Sequence, residues 1–75
     1  MKTIILTDPT GMILHSRRVP VVWFRSIRYA RVVFPKGGYP RIAELYPDLK
    51  TAARRAYETD SFALPVIDGR IRMPV

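Results

Sequence analysis

The chain has 75 residues, no cysteine, a formal charge of +7 and a pI near 10.6. A hydrophobic content of 48% is enough for a folded core and excludes a disordered polycation, while the missing cysteines exclude a disulfide framework and any thiolate metal site. A single domain of this size buries only about 60–65% of its unfolded surface, so its stability is small and a partner or a homodimer interface would add to it.

The apolar run at Ile4–Leu6 ends before Asp8, too short for a signal peptide, and no stretch approaches the roughly eighteen apolar residues of a membrane span. A cytoplasmic protein without membrane contact is the expectation. Thr3–Thr7 and Met12–Ser16 read as a β-hairpin joined by Asp8-Pro9-Thr10-Gly11, with Pro suited to the second turn position and Gly to the left-handed residue. In that hairpin Ile4, Leu6, Met12 and Leu14 would share a face.

From Pro9 to Ala43 the chain has no acidic residue, yet it carries Arg17, Arg18, Arg25, Arg28, Arg31, Lys36 and Arg41. Trp23, Phe24, Tyr29, Phe34 and Tyr39 are set among them. Residues 19–34 hold two patterns: Val21, Val22, Ile27, Val32 and Val33 favour strands, whereas Arg25, Arg28 and Arg31 would form a stripe on a helix begun by Pro20. Extended structure is the reading adopted. Phe24, Phe34 and Phe62 are assigned to the core, and Trp23, Tyr29 and Tyr39 are candidates for stacking on bases.

Phe34–Pro40 is a loop by its Pro and Gly content. Beyond it a broken helix is expected over about 41–58, interrupted at Tyr46-Pro47-Asp48 because Pro47 cannot sit inside a helix. Its second part places Leu49, Ala52, Ala53 and Ala56 inward and Lys50, Arg54 and Arg55 outward. Leu64–Val75 surrounds Asp68-Gly69, the strongest signal for a type I′ hairpin turn, with Leu64, Val66, Ile71 and Met73 on one face and Arg70 and Arg72 on the other. Pro65 confines its strand to a sheet edge. Together these elements predict one α+β domain, a β-rich basic segment lying between an N-terminal hairpin and the helix.

Ile42-Ala43-Glu44-Leu45, the turn at 46–48, Leu49–Glu58 and the run Ala63 to Pro74 resemble, loosely and over residues 41–74, the winged helix-turn-helix of excisionase and Cox-like phage regulators. The resemblance implies that Lys50, Thr51, Arg54 and Arg55 face the major groove, while Arg70 and Arg72 approach DNA from the wing. Such proteins usually have a small residue or Gly in the turn and little chain ahead of the motif. Here Tyr-Pro-Asp fills the turn and about forty residues precede it.

No catalytic constellation stands out. His15 is the only histidine, Ser16 beside it points to the opposite face of a strand, and Lys36-Gly37-Gly38 lacks the spacing of a phosphate-binding loop. The composition therefore predicts a non-enzymatic protein without cofactor or metal that binds DNA or RNA through Arg17, Arg18, Arg25, Arg28, Arg31, Lys50, Arg54, Arg55, Arg70 and Arg72. Two alternatives use the same arginines. One is a phage-type inhibitor that docks on an acidic surface of a host defence or transcription complex, and the other is a subunit of a larger nucleoprotein or capsid assembly.

Overall fold

A computed structural model describes residues 1–74. The elements are β1 (Lys2–Thr7), β2 (Ile13–Val19), the one-turn helix α1 (Val21–Phe24), β3 (Tyr29–Val33), β4 (Arg41–Tyr46), α2 (Leu49–Glu58), β5 (Phe62–Pro65) and β6 (Arg70–Arg72). The strands form two three-stranded sheets, one ordered β2-β1-β6 and the other β4-β3-β5. The α+β class expected from the pattern of elements is the one observed.

Local chemistry sets both turns. Asp8 accepts the N–H groups of Thr10 and Met12 on Oδ1, each at 2.9 Å, and Gly11 takes a φ of +96° that suits a residue without Cβ. In the C-terminal turn Asp68 and Gly69 both have positive φ, 52° and 75°, as a type I′ turn demands, and Ile67 and Arg70 exchange backbone hydrogen bonds across it. Expectation and structure part beyond that turn. β5 pairs with β3, and β6 runs parallel to β1 with Ile5 opposite Arg70 and Leu6 opposite Ile71. The chain thus changes sheets at the turn instead of folding back on itself. Leu64, Val66, Ile71 and Met73 all reach the core, while Arg70 and Arg72 are exposed. β5 is an edge strand, so Pro65 leaves no ladder bond unmade. Val75, the last residue of the expected hairpin, lies outside the described residues.

The segment 41–46, expected as helix, is strand β4. Its apolar residues Ile42 and Leu45 are three apart, which imitates a helical face, but a bulge at Ala43 supplies the extra residue: Ile42 stands opposite Val32, Glu44 opposite Arg31 and Leu45 opposite Ala30. Six residues bounded by Pro40 and Pro47 also close too few helical bonds to offset the cost of nucleation. The first helix implied by the winged-helix resemblance is therefore absent from residues 42–45. Residues 19–34 are not extended throughout: Val21 and Val22, read as strand formers, lie in the one-turn helix Val21–Phe24, strand follows only at Tyr29–Val33, and the Arg25, Arg28 and Arg31 stripe does not form on a helix. A second bulge, between Leu6 and Thr7 in the β1–β2 register, leaves Met12 exposed in place of its expected inward position.

Ile4, Leu6, Val19 and Ile71 from the first sheet meet Ala30, Val32 and Ile42 from the second in one core, with Phe24, Ile27 and Leu45 packed against it. The other face of the second sheet carries α2. Asp48 caps that helix by accepting the Thr51 N–H at 2.7 Å, and Ala52 and Ala56 are its buried residues. Leu49 and Ala53, expected inside, are exposed. The order of layers is sheet, sheet, helix. Phe34 and Phe62, assigned to the core from sequence, form an edge-to-face pair at 5.3 Å and are both largely exposed; of the three phenylalanines only Phe24 packs on the core.

Gly69 is the most crowded of the glycines. A Cβ there would lie 2.8 Å from Cζ of Phe24, and its φ is already left-handed. Gly11 has a positive φ too, but with open space around it. Gly69→Ala should therefore destabilise the fold by about 2–4 kcal/mol in urea unfolding, and Gly11→Ala by about 1 kcal/mol. Equal losses at both sites would show that Phe24 does not fill the turn.

Candidate functional site

The arginines flagged in the sequence fall into separate groups once the chain is folded. Arg31 is withdrawn from the surface: it stands opposite Glu44 on the helix-facing side of the second sheet, with Nη2 2.7 Å from Oε1, and its side chain is 12% exposed. The same Oε1 accepts the Tyr46 hydroxyl at 2.6 Å, and Arg31 Nη1 donates to Thr59 Oγ1 at 3.1 Å. Arg55 approaches Glu44 at 3.8 Å and Glu58 at 3.5 Å. This polar layer fastens α2 to the sheet. Its two arginines are committed to carboxylates and serve the fold.

Arg17 has a different task. It and His15 lie on the inward side of β2, opposite Ile4 and Leu6, where they reach the free edge of β4. His15 Nδ1 accepts the Ile42 N–H at 3.1 Å, and Arg17 Nη1 donates to the Ala43 carbonyl at 2.9 Å. Two side chains thereby satisfy backbone groups that a fourth strand would otherwise cover. His15 was read from the sequence only as a strand residue, since nothing local marks a partner 27 positions away.

Beside Arg17 a cleft of about 430 Å³ opens between the end of β2, α1 and the end of β4. Arg17, Arg18 and Trp23 line it together with Ile27, Leu45 and Pro47. Trp23 is 61% exposed. Arg25 and Arg28 line a separate hollow with Phe24, Val66 and Asp68.

The outward face of the β2-β1-β6 sheet follows from its register. Thr3 pairs with Arg18, Ile5 with Ser16 on one side and Arg70 on the other, and Thr7 with Arg72. Residues side by side in adjacent strands share a face, so Arg18, Arg70 and Arg72 rise from one surface whose other members are Thr3, Ile5, Thr7, Ile13 and Ser16. No acid belongs to it. With strands about 4.8 Å apart, β2 and β6 are separated by about 10 Å across β1. None of these three arginines forms an ion pair among the described residues.

Lys50 and Arg54 are exposed on α2, the layer farthest from that surface. The structure therefore does not bring them together with Arg70 and Arg72, as a recognition helix beside its wing would require. Tyr29 is half-buried on the helix-facing side of its sheet, and Tyr39 is exposed in the 34–40 loop. Of the stacking candidates, Trp23 alone shares a cleft with arginines. Among the described residues no helix is long and apolar enough to cross a membrane. No protein-family model matches the chain, and no curated protein or solved structure matches it significantly.

Glu44 titrates below its ordinary value of 4.5, first because the ionised form accepts the Tyr46 hydroxyl and second because it faces Arg31. A carboxyl whose folded value is depressed stabilises the fold above its unfolded pKa, and that contribution disappears as pH falls through the lower folded value. Glu44→Gln should therefore be less stable than the wild type at neutral pH, with a gap that is steady down to about pH 5 and shrinks towards about pH 3. Urea unfolding across that range measures it. A gap independent of pH would mean that the charge on Glu44 does not hold α2.

Proposed function

We propose that this chain is a non-enzymatic nucleic-acid-binding module that meets its ligand with the outward face of the β2-β1-β6 sheet. The observation that carries the reading is the grouping of Arg18, Arg70 and Arg72 on one open, acid-free sheet face, while Arg31 and Arg55 are neutralised elsewhere. Guanidinium groups without counter-charges raise the local concentration of polyanions, and their planar donors match phosphate oxygens. The hydroxyls of Thr3, Thr7 and Ser16 between them are further phosphate donors of the kind that fix a backbone in place.

A second reading, a protein that inhibits a partner by docking on its acidic surface, is favoured by one specific feature. Val21 and Val22 are exposed on α1, which ends at Arg25. An apolar knob with a cationic rim suits a protein interface. The two readings use different faces of the molecule.

Binding to a labelled mixed-sequence oligonucleotide, followed by fluorescence anisotropy, should weaken with salt along a log–log slope of about −2 to −3, as three phosphate contacts require. Replacing Arg18, Arg70 and Arg72 together by Ala should lower affinity at least about tenfold and flatten that slope, whereas replacing Lys50 and Arg54 together should change affinity less than about twofold. Absence of binding at low salt would overturn the reading. A larger loss from the α2 pair would move the interface to the helix.

A further inference from the structure

We propose that the cleft between β2, α1 and β4 is a socket for one unstacked base of a single-stranded nucleic acid, with Trp23 as the stacking surface and Arg17 and Arg18 as phosphate ligands. The inference rests on the nucleic-acid reading above and names the form of nucleic acid.

The main chain of Trp23 is fixed by its neighbours, and the side chain is exposed. Its N–H donates to the Pro20 carbonyl at 3.0 Å, and its own carbonyl accepts the Ser26 N–H at 3.0 Å and the Ser26 hydroxyl at 2.9 Å. Pro20, with φ fixed at −57°, leads directly into the turn. The neighbouring Phe24 is drawn into the core, which sets the direction of the turn and leaves the indole lining the cleft. A tryptophan that is 61% exposed contributes little to the core and offers its ring to a ligand in the cleft.

The lining of the cleft is also cationic, and Arg17 in it is anchored. One donor of Arg17 is used by the Ala43 carbonyl, which fixes the guanidinium and leaves its other N–H groups for a ligand. Arg18 both lines the cleft and belongs to the outward sheet face, so the two surfaces are continuous around edge strand β2. Ile27, Leu45 and Pro47 give the cleft an apolar lining that a base edge or ring can occupy. Bases in a duplex have their faces covered by their neighbours. An indole in a cleft can therefore be used only by a base that is unstacked, and every base offers a π-face whatever its sequence.

Trp23 is the only tryptophan in the chain, so its emission reports on this cleft alone. A short oligothymidylate should quench it at low salt, while a duplex of the same length should bind without quenching. Trp23→Ala should weaken single-strand binding by about 5- to 100-fold, leave duplex binding unchanged and leave the circular dichroism spectrum of the fold intact. Trp23→Phe should restore part of the loss. If both oligonucleotides bind by anisotropy but neither perturbs Trp23, or if Trp23→Ala weakens both equally, the socket is overturned and the sheet face alone remains. If neither oligonucleotide binds, both readings fall. Equal quenching by polyglutamate would overturn the inference in favour of an acidic protein partner.

Discussion

The fold depends on the crossing at Asp68-Gly69, where the chain leaves one sheet and enters the other. The Gly69 carbonyl accepts the Ile5 N–H at 2.9 Å, and its Cα lies against the Phe24 ring with no room for a side chain. That contact places β6 beside β1 and thereby brings Ile71 under Leu6 in the core. It also directs the outward residues of β6. Arg70 and Arg72 share a surface with Arg18 only because β6 is parallel to β1; pairing with β5 in a simple hairpin would have put them on a different sheet. The grouping of charge that supports the proposed role is thus a result of a backbone constraint.

Stacking two small sheets and a helix leaves little interior, and the molecule compensates with polar contacts at the seams. Glu44 meets Arg55 and Arg31 meets Thr59 to join sheet to helix, and His15 and Arg17 join sheet to sheet. The arginines consequently divide by function. Those facing a seam have a carboxylate or a carbonyl, and those on the outward face of the first sheet have solvent.

Local signals carried much of this into the sequence. Asp8 to Gly11, Asp68-Gly69 and the cap at Asp48 act within a few residues, so their turns and helix start are legible directly. So is the inward set Leu64, Val66, Ile71 and Met73, because alternation holds whichever strand β6 pairs with. β4 was not legible as a strand, since the bulge at Ala43 replaces a period of two with a spacing of three. The partner of β6 was hidden for another reason: pairing with β1 joins opposite ends of the chain and has no local signature. Of the candidate site, the acid-free run pointed to Arg17, Arg18 and Trp23. It could not separate them from Arg31, whose counter-charge at Glu44 arrives only through the β3–β4 pairing.

The brevity of β6 bears on how the molecule behaves at high concentration. One margin of its sheet ends in three residues, of which two are arginines. A second molecule approaching that margin to extend the sheet would bring like charges together over a very short ladder, so cross-molecule strand pairing gains few hydrogen bonds against strong repulsion. The guanidinium groups on which the proposed role rests therefore also disfavour polymerisation of a small, sheet-rich protein through this border.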